Sequence, residues 1–237
     1  MQENEDKIRP FPGSDVYYQF FTHSPWGLTA NRVIEKVIQE APRNGRVLDL
    51  CCGPGYILSQ VRKERPDLRL TGIDSNVEFL EHAKEQQSGI EYKASDVFEW
   101  KAENPYDVVT CTGGLHHIPY AKQEQFLKHI HTMLSQDGLA IIADPYLDDS
   151  TTKSERRIAS VTLGHAYLED AIRKGCSDEL MVACMDIMHN DMFVLEYKNS
   201  IKKIEPVFRS IFREVELEKM WPDKESEFGD YIVVCKK

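Results

Sequence analysis

A short stretch between residues 49 and 55 contains the residue types best suited to bind a ligand. An apolar run ends near Asp49, and Gly53 and Gly55 follow before a helical segment begins. Glycine permits a left-handed backbone and lets a ligand approach the main chain closely. Asp74 ends the next apolar run, about 20 residues further on, where a carboxylate can accept hydrogen bonds from both hydroxyls of a ribose. The glycine turn and the acid together predict a site for an adenosine-containing ligand.

This turn differs from the common phosphate-binding loops. The dinucleotide pattern G-x-G-x-x-G would need glycine at the position of Leu58. The G-K-[ST] sequence of a Walker A loop is absent as well. A carboxylate at Asp49 would repel a phosphate, but it would suit an ammonium or a sulfonium. The residues therefore favour a cationic adenosine derivative.

Short apolar runs alternate with helical segments between residues 46 and 143. Such alternation builds a parallel sheet with helices on both faces. We predict strands at 46–50, 68–73, 90–94, 106–111, 138–143, 214–220 and 231–236. The predicted fold is α/β, with a Rossmann-like, doubly wound, seven-stranded sheet that is mainly parallel and has an antiparallel strand at the C-terminus.

The 237 residues are expected to form one domain. Its predicted parts are an N-terminal helical lid (1–41), a ligand-binding core (42–147), a helical insertion after the fifth strand that caps the substrate (148–200), and a closing helix with strands (201–237). The aromatic cluster that includes Tyr18 fits either the core or a lid over the ligand, and both interpretations stay open.

The composition limits the partners. Lys and Arg number 29 against 39 Asp and Glu, so the net charge is −10, which disfavours nucleic acid. No apolar run is long enough to span a membrane, and the acidic start is unlike a signal peptide. Six cysteines without a C-x-x-C pair indicate reduced, mostly buried thiols. We expect a cytoplasmic monomer or homodimer with a small-molecule substrate.

Four motifs, in order, resemble those of class I S-adenosylmethionine-dependent methyltransferases of the small-molecule type. They are D-x-x-C-G-x-G at 49–55, the acid Asp74, A-S-D-V at 94–97, and Y-D-V-V-T-C-T-G-G-L-H-H-I at 106–118. The resemblance implies in-line transfer of a methyl group from S-adenosylmethionine to an oxygen or nitrogen of a metabolite. The alternative is a protein of the same fold that binds this cofactor for other chemistry or for regulation.

The resemblance also implies a set of cofactor-binding residues. Asp49 and the 51–55 backbone would face the methionine moiety, Asp74 the ribose and Asp96 the adenine. The complete implied set is Tyr18, Asp49, Cys51, Gly53, Gly55, Asp74, Ser75, Asp96, Val97, Cys111 and Thr112. Cys51 departs from the family, which often has glycine there, but we expect its small side chain to be tolerated.

A base near the methyl group would help an acceptor that must lose a proton. The candidate catalytic residues are, in order, His117, His116 and Tyr146. The two histidines could equally shape the pocket or pack a helix start. We expect no metal, because the fourth strand ends in Cys111 and Thr112 without an acid, and His189 with Asp191 offers only two ligands.

Overall fold

The computed structural model describes Arg9, residues 12–223 and residues 225–237. Its strands are β1 (Arg46–Leu50), β2 (Arg69–Asp74), β3 (Glu91–Ala94), β4 (Tyr106–Thr112), β5 (Leu134–Tyr146), β6 (Glu214–Trp221) and β7 (Gly229–Lys236). Its α-helices are α1 (Ser14–His23), α2 (Trp26–Glu40), α3 (Tyr56–Glu64), α4 (Val77–Gln86), α5 (Tyr120–Met133), α6 (Lys153–Arg173), α7 (Asp178–Met192) and α8 (Ile201–Ile211). A short 3-10 helix spans Leu115–His117.

The seven strands form one sheet in the order β3-β2-β1-β4-β5-β7-β6. β7 runs antiparallel to both of its neighbours, β5 and β6. The other four pairings, β3 with β2, β2 with β1, β1 with β4 and β4 with β5, are parallel. The predicted α/β architecture is therefore confirmed. The strand order reverses between β1 and β4, and ligands of open α/β sheets bind at such a reversal, beyond the carboxyl ends of the strands.

Helices cover both faces of the sheet. Alternate side chains of β1 point to opposite faces, so Val47 packs with α2 and α3 while Leu48 packs with α5 and α8. Both side chains are fully buried. Burial on both faces explains why the central strands are nearly continuous apolar runs.

The insertion after β5 contains α6 and α7. The side chain of Thr152 and that of Glu155 form a reciprocal capping box at the start of α6. Ser177 caps α7, as predicted, and its hydroxyl also donates to Gln19 Oε1 of α1 at 2.8 Å. The α1 and α7 helices are thus joined above the carboxyl edge of the sheet.

The N-terminal segment forms two helices separated at Ser24 and Pro25, where the predicted break lies. Residues 1–8, 10 and 11 of the predicted lid lie outside the described residues. Within the part of the chain that is described, no helix is both long and apolar enough to span a membrane.

Candidate functional site

A small cavity lies at the carboxyl end of β1. Its polar feature is Asp49, whose side chain is buried and accepts a hydrogen bond from Thr110 Oγ1 at 2.6 Å. The other walls include Tyr17, Phe21, Trp26, Cys51, Tyr56 and Thr112. A buried carboxylate among aromatic rings is suited to a cationic group, because only a positive charge would compensate its ionised form.

The pKa of Asp49 reflects this burial. Burial raises it to about 7, and the nearby charge of Asp74 acts in the same direction, against the hydrogen bond from Thr110. The carboxyl group is therefore partly protonated near neutral pH. A cation bound beside it would favour the ionised form.

The glycine turn after β1 holds the second acid. Gly53 and Gly55 both have a left-handed backbone, with φ of +52° and +81°. A side chain at Gly55 would place a Cβ 2.5 Å from Tyr92 Oη. Asp74 accepts backbone hydrogen bonds from Gly53 and Asn76, each at 2.8 Å. Its carboxylate is thus fixed at the turn and keeps lone pairs for a ligand.

Cys51 adopts the left-handed backbone as well, with φ of +56°. This conformation explains why glycine would suit the position. The side chain lines the cavity, so the expectation that cysteine is tolerated at the turn agrees with the geometry.

On α1, Tyr17 is the residue that lies over the glycine turn. A Cβ built on Gly53 would be 3.8 Å from its ring, and burial with the charges of Asp74 and Asp49 raises its pKa. The predicted Tyr18 instead donates to the Pro54 carbonyl at 3.2 Å. Tyr17 belongs to the same predicted aromatic cluster as Tyr18 but is not among the predicted cofactor-binding residues. Its spacing of three and four residues from Phe20 and Phe21, both buried, places it on their face.

Ser75 and Asp96 follow the adjacent strands β2 and β3, and both are exposed at the same edge of the sheet. Asp96 Oδ1 accepts from the Phe98 amide at 2.7 Å. Val97 is buried in the core on the α5 side. The structure thus brings these three predicted residues to one side of the glycine turn.

The side chain of Cys111 is fully buried in the core on the α5 side and is not part of the cavity wall. Side chains of a strand alternate between faces, so Thr110 and Thr112 point toward Asp49 and the cavity while Cys111 points away. A contact of Cys111 with the cofactor therefore stays a prediction for its backbone, whereas Thr112 also offers its side chain.

A second, larger cavity lies between the sheet edge and the α6–α7 pair. Its apolar walls include Phe20, Trp26, Leu163, Tyr167, Cys184 and Ile187. Tyr17 and Trp26 line both cavities. Gly113, with φ of +71°, borders the second cavity beside Thr112, and a Cβ there would come within 3.2 Å of the Trp26 ring. The two cavities therefore adjoin at Gly113.

One end of the second cavity is polar. His116 Nδ1 lies 2.6 Å from Asp144 Oδ1, and the His117 ring packs 4.0 Å from the His116 ring. Lys198 Nζ contacts Asp191 Oδ1 and Glu196 Oε2, each at 2.9 Å. These six residues form a polar cluster beneath the cavity: His116, His117, Asp144, Asp191, Glu196 and Lys198.

Burial sets the protonation of this cluster. It lowers the pKa of His116 to about 4 and, together with repulsion from His116, that of His117 to about 3. It raises the pKa of Asp144 to about 8. Burial also opposes ionisation of Glu196, but attraction by Lys198 and the histidines outweighs it and lowers that pKa to about 2. Both histidines are thus neutral near pH 7, and Glu196 is ionised.

Of the predicted catalytic residues, the structure brings His116 and His117 to the cavity but not Tyr146. The Tyr146 side chain is fully buried below the sheet edge, and its ring packs edge-to-face against Tyr231 at 5.7 Å. Because Tyr146 lies outside the cavity wall, its predicted role as a base is corrected. Sequence reasoning missed Glu196 and Lys198, since no local pattern marks the loop between α7 and α8.

Part of the chain is similar to known proteins. Residues 47–138 match the family model of a methyltransferase domain. Trans-aconitate 2-methyltransferase of Mycobacterium tuberculosis (strain ATCC 25177 / H37Ra) is 31% identical over 107 residues, which cover 44% of this chain and 38% of the relative. Carboxy-S-adenosyl-L-methionine synthase of Campylobacter lari is 22% identical over 186 residues, covering 75% of this chain and 78% of the relative. The chain thus spans well under half of the first relative.

Among solved structures, the fold resembles the plantazolicin methyltransferase BpumL, crystallised with a triazolic desmethylPZN analog and SAH. The TM-score is 0.63 at 15% identity, and the match covers 94% of this chain and 90% of the other. At this identity the likeness establishes the fold.

Proposed function

We propose that this chain, whose residues 47–138 match the family model of a methyltransferase domain, transfers a methyl group from S-adenosylmethionine to a small molecule. The observation that carries the proposal is the meeting of two cavities at Gly113. One cavity is lined by the buried acid and by Cys51 and Cys52 at the start of the glycine turn, and the other ends in the histidine pair. A methyl group held by the first would be presented to an acceptor in the second.

The first cavity and the adjacent ends of β2 and β3 supply groups for each part of the cofactor. Asp49 would accept the positive charge of the methionine moiety, and Asp74 would accept hydrogen bonds from the ribose hydroxyls. Asp96, exposed after β3, would accept from the adenine amino group. Tyr17 would cover the cofactor from the α1 side. Ser75, Val97 and Thr112 complete the proposed contacts.

The reaction would be an in-line displacement in which an acceptor lone pair forms the bond to the methyl carbon while the carbon–sulfur bond breaks. The protein's main contribution would be to hold the three atoms in line, and such positioning lowers a barrier by about 7–11 kcal/mol. The aromatic residues Tyr17 and Trp26, common to both cavities, would exclude water from the transfer point.

The acceptor would carry an apolar body and a polar oxygen or nitrogen. Apolar side chains such as Leu163 and Ile187 form most of the wall, and His117 lies at the polar end. His117 would contact the reacting atom and accept a hydrogen bond from it, because a pKa lowered to about 3 makes its ring too weak a base to take the proton itself near pH 7. His116 would act through its bond to Asp144 as a positioning residue, because Asp144 and Glu196 face its two ring nitrogens.

Incubation with S-adenosylmethionine labelled in its methyl group tests the proposal. Small molecules that co-purify with the chain would serve as acceptors, and mass spectrometry would locate the label. We expect the label in an acceptor, S-adenosylhomocysteine as the by-product, and a raised thermal midpoint with either nucleoside. The absence of a thermal shift with both nucleosides would contradict cofactor binding.

A second candidate is modification of the cofactor itself. This candidate is favoured by the relative named carboxy-S-adenosyl-L-methionine synthase, whose match covers three quarters of this chain. The same incubation, with a carboxyl donor added, separates the two functions. Attachment of a carboxyl group to the methyl carbon, with loss of one methyl hydrogen as a proton, would yield a heavier nucleoside that keeps the labelled carbon, whereas a methyltransferase would yield unlabelled S-adenosylhomocysteine.

A further inference from the structure

We infer that His116, His117 and Glu196 form a binding site for one divalent ion of the zinc class at the polar end of the second cavity. One potential ligand atom from each residue lies within 4.8 Å of the other two. Imidazole nitrogen and carboxylate oxygen are typical ligands of zinc and its first-row neighbours. Two histidines and one carboxylate leave a coordination position open, as catalytic sites require.

The carboxylate of Glu196 supplies independent evidence. Its side chain is only 2% exposed, and Oε2 is held by Lys198. The other oxygen, Oε1, is buried and has no hydrogen-bond partner among the described residues. Buried polar atoms are nearly always satisfied, and an orphaned carboxylate oxygen is the kind of exception that an ion accounts for.

His116 is oriented as a metal ligand would be. Its Nδ1 is fixed by Asp144 at 2.6 Å, which directs Nε2 toward Glu196 Oε2, 3.6 Å away. This second distance is too long for a hydrogen bond. The oxygen that remains for the ion is Oε1, because Oε2 already contacts Lys198. An acidic side chain on the far nitrogen of a ligating histidine is the usual outer partner, and an ion bound at Nε2 would favour the ionised form of Asp144.

The backbone holds the two halves of the site together. The Tyr197 amide, next to Glu196, donates to the His116 carbonyl at 2.7 Å. Gln123 Nε2 donates to the Tyr197 carbonyl at 3.0 Å. The loop after α7 is thereby attached to the 3-10 helix, so the ligands are placed by fixed backbone as well as by side chains.

The charges also suit a cation. Lys198 offsets one of the two carboxylates that it contacts, Asp191 and Glu196, so one negative charge remains in this group. Both histidines line the second cavity, and the open position of the ion would therefore face the acceptor.

The role of the ion rests on the proposed function, whereas ion binding itself does not. An acceptor hydroxyl bound to the ion would lose its proton to water more readily. The resulting oxygen would then form the bond to the methyl carbon as the carbon–sulfur bond breaks. In this arrangement His117 is a ligand of the ion and does not act as a base.

Zinc titration of the chelator-treated full chain by calorimetry tests the site. We expect one Zn²⁺ per chain, and at least tenfold weaker binding in both His117→Ala and Glu196→Gln. His165→Ala is the matched control, because this histidine is exposed on α6, and its affinity should equal that of the unchanged protein. A thermal unfolding scan of each variant would confirm that it is folded.

The site would be refuted if the unchanged chain bound no Zn²⁺, or if folded His117→Ala bound it as tightly as the unchanged chain. A thermal shift with S-adenosylhomocysteine, measured on the metal-free chain, keeps the two proposals separate. A shift without zinc uptake would overturn the metal site alone. Zinc uptake without a shift would support the metal site and overturn the proposed function.

Discussion

Replacement of Asp49 by Asn tests whether the cofactor cavity contains a carboxylate that is destabilising when ionised. Burial raises the pKa of Asp49 from an ordinary 3.8 to about 7. A difference of about three pH units corresponds to about 4 kcal/mol. The unfolded chain releases this proton first, near pH 4. The free energy of unfolding therefore falls as the pH rises from about 4 to about 7, and the loss stays constant above that range.

Asparagine has nearly the same shape and can still accept the Thr110 hydrogen bond. We therefore expect Asp49→Asn to unfold at higher urea concentration than the unchanged protein, with an advantage in the free energy of unfolding that grows to about 4 kcal/mol at pH 8. The difference between the two proteins isolates Asp49 from other buried acids, such as Asp144, that are present in both. A difference that stayed constant from pH 5 to pH 8 would refute the reasoning.

The same variant should lose affinity for S-adenosylmethionine, because the cation no longer meets a carboxylate. In the unchanged protein the affinity should rise by up to about tenfold from pH 6 to pH 8, as Asp49 ionises through its pKa of about 7. Asp137→Asn, an exposed change before the apolar part of β5, is the control and should bind normally. Equal affinity of Asp49→Asn and the unchanged chain at pH 8 would argue against the cofactor contact.

The glycine turn, the lid helix and the buried lysine each allow a further test. Gly55→Ala should destabilise the chain by at least about 1–2 kcal/mol in urea unfolding, because of its left-handed backbone and the contact with Tyr92; unchanged stability would contradict this. Tyr17→Ala should weaken S-adenosylmethionine binding in calorimetry more than Tyr18→Ala, and equal losses would favour the sequence-based choice. Lys198→Met leaves two buried carboxylates uncompensated and should lower the free energy of unfolding by about 3–5 kcal/mol; a loss below about 1 kcal/mol would be inconsistent with an ionised pair.

The sheet could be predicted wherever its signal is local. Alternating apolar runs and helical periodicity located every strand and the order of helices between them. The length of β5 could not be predicted, since Asp144 and Pro145 interrupt the apolar run of 138–143. These residues pair with Tyr231 and Asp230 of antiparallel β7, and that pairing joins segments far apart in the sequence.

The site residues, too, could be predicted only where their signal is local in the sequence. Asp49, Gly53 and Asp74 belong to one strand–turn–helix–strand unit, so their spacing predicts their meeting at the glycine turn. Glu196 and Lys198 reach His116 from a loop without periodicity, and no residue near them in sequence indicates the contact. Tyr17 and Tyr18 differ by a single position, and only the packed face of α1 decides between them.

The attachment of the 193–199 loop to the 3-10 helix has a consequence for modularity. The cap helices α6 and α7 and the charged residues Glu196 and Lys198 are encoded in one continuous segment. A chimera that imported a foreign segment 148–200 would replace the pocket lining and three members of the polar cluster, Asp191, Glu196 and Lys198, in one step. Recombination at residue 192 would instead change the lining and Asp191 and retain Glu196 and Lys198. The side chains that line the second cavity and the charged residues beneath it are therefore exchanged together, unless the junction is placed between them.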